Sequence, residues 1–202
     1  MPLRAIALNC TLKRSPETSS TDVLLGELCA AFRKEGVEVD EPVRVVDLDI
    51  RPGVTSDEGG GDEWPDVRRR ILDADILALG TPVWMGQPSS VAKRVVERMD
   101  AFLGEKDDAG RMISYDRVAV VAVVGNEDGA HHVSAELFQA LDDVGFTIPA
   151  GGVTYWVGEA MGSTDYRDLD PKPEVVTSTT ATVARNATHL AALLADRGYP
   201  AG

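Results

Sequence analysis

Cysteine is scarce in this 202-residue chain: Cys10 and Cys29 are too few for a disulfide framework, and no Cys and His cluster has zinc-site spacing. Basic charge is scarce too. The 20 Lys and Arg against 33 Asp and Glu leave a net charge of -13, which argues against a nucleic-acid backbone or an anionic membrane as main partner. Long apolar runs are missing. The stretch from Pro2 to Leu8 turns polar at Asn9 and Lys13-Arg14, so neither a signal peptide nor a membrane span is expected, and a cytoplasmic protein is. No internal repeat or Pro/Ser-rich linker divides the sequence. A single domain over residues 1–202, with one sizeable core, is therefore the expectation.

What is present is an alternation of two periodicities. Leu3 to Leu8, Val43 to Leu48, Ile76 to Leu79 and Arg117 to Val124 are short apolar runs of the kind a buried strand needs. Thr147 to Pro149 and Val153 to Trp156 form a fifth strand region, interrupted by Ala150-Gly151-Gly152. Apolar residues at three- and four-residue spacing predict helices over Asp22 to Glu35, Trp64 to Asp73, Ser89 to Leu103, Ala130 to Val144 and Glu174 to Ala195. On the helix from Ser89, Val91, Val95, Val96, Met99 and Phe102 are expected inside, with Lys93, Arg94, Glu97 and Arg98 in water. Asp49 to Glu63, with Pro52 and Gly59-Gly60-Gly61, reads as a mobile surface loop. Val157 to Pro173 reads as an irregular segment, whose glycine-bearing part from Val157 to Asp170 suits a substrate pocket or a subunit contact.

Strand followed by helix, five times over, implies an α/β fold with a parallel sheet covered on both faces by right-handed crossovers. The strand count favours the order 2-1-3-4-5, whose switch point lies between the first and third strands; ligands bind at the carboxyl edge there. Three loops leave strands at that edge. The first, Asn9 to Thr21, carries Thr11, Lys13, Ser15, Thr18, Ser19, Ser20 and Thr21 ahead of a helix. One hydroxyl would suffice as an N-cap. The excess, with Lys13 and Arg14, suggests a cradle for a phosphate at the helix N-terminus, although capping and cradling rest on the same geometry. The second loop, Gly80-Thr81-Pro82-Val83-Trp84-Met85-Gly86-Gln87-Pro88, puts two large side chains on a backbone stiffened by Pro82 and freed by Gly86. It suits a flat aromatic ligand, or else Trp84 and Met85 cap the core or a subunit contact. The third is Gly125-Asn126-Glu127-Asp128-Gly129.

Together these three loops resemble those of the flavodoxin-like flavoproteins, in the NAD(P)H-dependent FMN reductase and quinone reductase branch, over Leu3 to Trp156. The resemblance implies a flavodoxin-like three-layer sandwich with a five-stranded parallel sheet. It implies FMN as cofactor and NADPH or NADH as co-substrate, with hydride passing through the flavin to a small acceptor such as a quinone or free flavin. It assigns Thr11, Lys13, Ser19, Ser20 and Thr21 to the FMN phosphate. Thr81, Pro82, Val83, Trp84, Met85, Gly86, Gly125, Asn126, Glu127 and Gly129 fall to the flavin ring. The first loop departs from the family's commoner Gly-Ser-then-Arg pattern, with Asn9-Cys10-Thr11-Leu12-Lys13-Arg14 in its place.

No side-chain acid or base is assigned. His131 and His132 follow the third loop and are expected to face the crevice or solvent by default. Cys10 resembles the nucleophile of low-molecular-weight phosphatases, but the arginine needed six positions on is Pro16, so both cysteines read as small packing residues. The Gly-x-Gly-x-x-Gly of a dinucleotide domain is missing after strand one, and the acidic residues of a receiver domain are missing after strands one and three. The competing readings are a non-enzymatic flavodoxin-type electron carrier, whose acidic surface would serve docking, and a flavin-binding regulatory module. Trp64, Trp84, Tyr155, Trp156 and Met161 are many large apolar groups to place near loops, and they predict a homodimer or homotetramer whose neighbouring subunit helps wall the site.

Overall fold

The computed structural model describes residues 2–201. Its strands are β1 (Arg4–Asn9), β2 (Glu38–Val39), β3 (Val43–Arg44), β4 (Ile76–Trp84), β5 (Gln87–Pro88), β6 (Val118–Gly125) and β7 (Val153–Val157). The helices are α1 (Ser20–Lys34), α2 (Trp64–Leu72), α3 (Ser90–Met99), α4 (Ala130–Asp143) and α5 (Glu174–Asp196). The sheet runs β2-β1-β4-β6-β7 with every neighbour parallel, so its five positions follow the expected 2-1-3-4-5 order.

Both faces of the sheet are buried, which is why its strands are apolar without alternation. On one face Ala5, Ala7, Val118 and Val120 pack against Leu24, Leu28 and Phe32 of α1 and Val183, Ala184 and Ala187 of α5. On the other, Ile6, Leu8, Val121 and Val123 meet Val67 and Ile71 of α2, Val95 and Met99 of α3, and Val133 and Leu137 of α4. Pairing of Asn9 with Gly80, and of Gly80 with Ala122, sets the carboxyl ends of β1, β4 and β6 level. Gly80 serves a close approach: a Cβ there would lie 3.1 Å from Leu25 and 3.2 Å from Thr21. The first turn of α1 therefore rests directly on β4 at the switch point.

Four expectations are corrected. The strand expected from Val43 to Leu48 is shorter: only Val43 and Arg44 pair with β1, and Val45–Asp47 coils into a 3-10 turn. The β1 edge is instead shared between β2 and β3, separated around Pro42, which has no N–H for a ladder. Asp49 to Glu63 is not a loose loop. The carboxylate of Asp62 accepts from the amides of Glu58 (3.0 Å), Arg51 (3.2 Å) and Trp64 (3.2 Å) and pairs with Arg98 at 2.7 Å. Arg98, expected in water, is fully buried, and it also donates to the carbonyls of Arg51 (2.9 Å) and Thr55 (2.9 Å). Trp64, expected near the exposed rim, is buried in the core with the Arg98 guanidinium 5.7 Å from its ring.

Candidate functional site

The site begins at the start of α1. Ser19 is its N-cap: its hydroxyl accepts from the Asp22 amide at 3.1 Å, while the Asp22 carboxylate accepts from the Ser19 amide at 2.6 Å, a reciprocal capping box. The Ser19 hydroxyl also lies 3.0 Å from the same carboxylate, so its donor is engaged. Asp22 further holds the Asn9 side chain and, at 2.5 Å, the Arg44 guanidinium. For Ser19 the capping reading is the one the hydrogen bonds support. Ser20 and Thr21 differ. As the first two helical residues, their amides have no carbonyl one turn back to bond. Thr11 and Thr21 are buried beside them, and Lys13 makes a partly exposed pair with Glu17 at 2.9 Å.

β4 runs past Gly80 to Trp84 and returns as β5, an antiparallel two-residue hairpin closed by Met85 (φ 52°) and Gly86 (φ 72°). Consecutive positive φ values are what a tight hairpin turn needs. The turn leaves Trp84 55% and Met85 88% exposed. Its backbone is held from across the crevice, where Glu127 Oε1 accepts the Met85 amide at 2.6 Å. Gly129 (φ +136°) packs on the same turn so tightly that a Cβ would lie 2.9 Å from Gly86 Cα. Thr81 is fully buried; its hydroxyl accepts from the Ser89 amide at 3.1 Å, and the Ser89 hydroxyl donates to Cys10 O at 2.6 Å. Thr81 thus joins the ends of β1, β4 and α3.

Between these loops lies a cavity of about 460 Å³. It is lined by Thr11, Leu12, Lys13, Ser19, Ser20 and Thr21, by Pro82, Val83, Trp84 and Met85, by Val124, Gly125, Asn126 and Glu127, and by Met161 and Asp165. Hydroxyls gather at the α1 end, and apolar side chains at the β4 end. Thr81, Gly86 and Gly129 do not line it; they stand behind the wall and fix its shape. Met161 and Asp165 come from the irregular segment after β7, which was expected to suit a substrate pocket or a subunit contact without Asp165 being singled out. Asp165 accepts from the Asn126 side chain at 3.1 Å.

The neighbouring titratable groups are tied elsewhere. His131 contacts the Tyr155 hydroxyl at 3.1 Å and His132 the Gln87 side chain at 3.1 Å, and neither lines the cavity. Burial pushes the Cys10 thiol far above its ordinary range and raises Cys29 to about 11, so both stay protonated and unreactive. Burial, reinforced by the Glu27 carboxylate at 2.6 Å, likewise raises the Tyr166 phenol. Among the described residues no group of Asp, Glu, His and Cys could hold a metal ion, and no helix is long and apolar enough to cross a membrane.

Comparison with known proteins identifies the family and the fold. A family model for NADPH-dependent FMN reductase matches residues 3–162. The divalent metal cation transporter MntH of Mycobacterium bovis is 40% identical over 199 residues, 95% of this chain. This chain spans only 29% of that relative's length. The 8-demethyl-8-aminoriboflavin-5'-phosphate synthase of Streptomyces davaonensis is 32% identical over 211 residues, covering 98% of this chain and 81% of the synthase. Among solved structures, RosB with bound 8-demethyl-8-formylriboflavin-5'-phosphate superposes with a TM-score of 0.89 at 32% identity, over 98% of this chain and 82% of RosB. An archaeal flavodoxin, at a TM-score of 0.58 and 6% identity over 94% of this chain and 99% of its own, shares the fold. The fold is thus flavodoxin-like, and the chain belongs to the NADPH-dependent FMN reductase family.

Proposed function

We propose that this protein is an FMN-dependent oxidoreductase that takes hydride from NADPH or NADH and passes it to a small acceptor such as a quinone or free flavin. The observation that carries this reading is the graded cavity, hydroxyl- and amide-rich at the α1 N-terminus and apolar beside β4. Its donor set fits FMN. A dianionic phosphate favours several N–H and O–H donors at a helix N-terminus. The amides of Ser20 and Thr21, the hydroxyls of Thr11, Ser20 and Thr21, and Lys13 supply them, while Ser19 holds the helix end in place. Such local donors offset the field of a chain carrying a net charge of -13. Pro82, Val83, Trp84 and Met85 on one side and Gly125, Asn126 and Glu127 on the other would embrace the ring, with Thr81, Gly86 and Gly129 acting through the loops they lock.

FMN supplies the hydride chemistry when bound; the protein's part is orientation and electrostatics. No side chain of the site is given an acid or base role. In this reading the protein is cytoplasmic, and the exposed rim of Trp84, Met85 and Met161 supports a homodimer or homotetramer whose neighbouring subunit covers the cavity mouth. Residues 1–202 form one flavin-binding domain in this reading.

A second reading is favoured by the likeness to the Streptomyces synthase along nearly the whole chain: the flavin phosphate is itself the substrate. One pair of measurements separates the two. Stopped-flow mixing of the FMN-loaded protein with NADPH and with NADH should bleach the flavin at a catalytic rate with at least one of them. Slow or absent bleaching points to a carrier or regulatory module. Absent bleaching together with a new flavin mass after incubation with FMN, oxygen and an amino-group donor points to the second reading.

A further inference from the structure

The segment that leaves β7 is pinned at both ends, and the two anchors stand on opposite sides of the cavity. At its start, the Gly158 amide donates to Gly125 O at 2.8 Å, which fixes it to the third loop. At its far end, the buried Tyr166 donates its hydroxyl to Glu27 on α1 at 2.6 Å. The Arg167 guanidinium donates to Thr18 O at 2.6 Å, and the Arg167 amide to the Ser20 hydroxyl at 3.3 Å. Lys172 then ties the carbonyls of Tyr166 (2.9 Å), Arg167 (3.2 Å) and Leu169 (2.6 Å) into one knot. The strand end at Gly125 and the helix start at Thr18 to Ser20 are thereby bridged across the cavity, and Asp165 sits on the bridge.

We propose that Asp165 is a specificity-determining residue that recognises the hydroxyl-bearing chain linking the phosphate and the ring of a flavin phosphate. The inference rests on the flavin reading above. A ligand that puts a phosphate at the α1 end and a flat ring between the β4 loop and the third loop must lay its linker between them, and Asp165 lines the cavity on the bridge that runs from the third loop at Gly125 to the α1 end. A carboxylate is acceptor-only, with about four lone-pair sites. Here Oδ1 accepts from Asn126 at 3.1 Å, and Oδ2 lies 3.4 Å from the Arg167 guanidinium, so acceptor capacity remains. A carboxylate with acceptor capacity to spare is a poor neighbour for a phosphate or a ring carbonyl. It suits the hydroxyls of a polyol chain. Asp165 also lies beyond residues 3–162, the span matched by the family model, so the family match assigns it no role.

The test compares three flavins on the parent, on Asp165→Ala and on Asp165→Asn: FMN, riboflavin, which keeps the polyol but lacks the phosphate, and lumiflavin, which lacks both. Binding is read by quenching of flavin fluorescence. For Asp165→Ala the expected outcome is a loss of about tenfold for riboflavin, the scale of a hydrogen bond to a charged acceptor, with lumiflavin within about twofold of the parent. FMN should weaken as well. Asp165→Asn, which keeps an acceptor but not the charge, should fall between parent and alanine for riboflavin. Unchanged or tighter riboflavin binding overturns the proposal and makes Asp165 only a repulsive neighbour of the phosphate. Equal losses for riboflavin and lumiflavin overturn it in favour of a purely structural bridge. A parent that binds none of the three removes the flavin reading itself, and this inference with it.

Discussion

The loop of residues 49–63 and the hairpin at Trp84–Gly86 leave the same edge of the sheet, yet each hides what the other exposes. The first has an ionic interior: the fully buried Asp62 carboxylate gathers three backbone amides and the fully buried Arg98, which in turn holds two carbonyls of the loop. The second leaves Trp84 and Met85 largely in solvent, while its backbone is fixed by Glu127 and by the contact between Gly86 and Gly129. Ion pairs inside a loop order that loop at the expense of desolvation. Apolar groups on a rigid turn leave a surface waiting for a ligand or a partner. Neither loop is floppy, and only the second adjoins the cavity.

The difference is sharpest at Arg98. Arg98→Met leaves Asp62 buried and unpaired, and should cost about 3–5 kcal/mol of stability. Urea denaturation checks it, and a loss below about 1 kcal/mol would contradict a buried pair. Acid probes the other partner. Burial pushes the Asp62 carboxyl up, but the hydrogen bonds from the Glu58 amide, Arg98 and the Trp64 and Arg51 amides outweigh it and hold the group at about 2. A folded value below the unfolded one means that the contribution is complete above about pH 4 and is lost as the pH falls through about 2; its size is about 2 kcal/mol. Asp62→Asn should flatten the loss of stability across that window.

Gly129→Ala adds a side chain at a positive φ and against the Gly86 backbone, so it should cost about 1–3 kcal/mol and weaken FMN binding together. Thermal melts and FMN titration on one preparation test the coupling. Ser19→Ala removes a cap and should cost about 1 kcal/mol with the FMN-to-riboflavin affinity ratio unchanged. A falling ratio would return Ser19 to the phosphate cradle. Trp84→Ala should move stability by no more than about 0.5 kcal/mol, as an exposed substitution does, while FMN affinity drops. A large stability loss there would mean that the rim serves the core.

How much of this was legible in the residues depended on whether a partner lay nearby in sequence. The parallel sheet, its order and the three loops follow from apolar runs and glycines read locally, and they stand in the structure. Arg98 shows the limit. Val91, Val95, Arg98 and Phe102 recur at four-, three- and four-residue intervals, the spacing of one buried stripe, yet Arg98 was expected in water. Asp62, which decides the matter, lies on another element. Likewise the cluster of hydroxyls before α1 was visible, but not which of them caps: that depended on Asp22, whose carboxylate closes the box with Ser19. The segment that holds Asp165 was expected to suit a pocket or a subunit contact, but Asp165 itself was not singled out, because only the anchors at Gly158, Tyr166 and Arg167 bring it to the cavity.

The most direct test of the account is titration of the purified apoprotein with FMN and with FAD, read by flavin fluorescence and by calorimetric stoichiometry. The proposed placement of a terminal phosphate at the start of α1 predicts one FMN per chain, bound more tightly than FAD, which carries an added adenylate on that phosphate. Tighter FAD binding, or no saturable binding of either flavin, would contradict it.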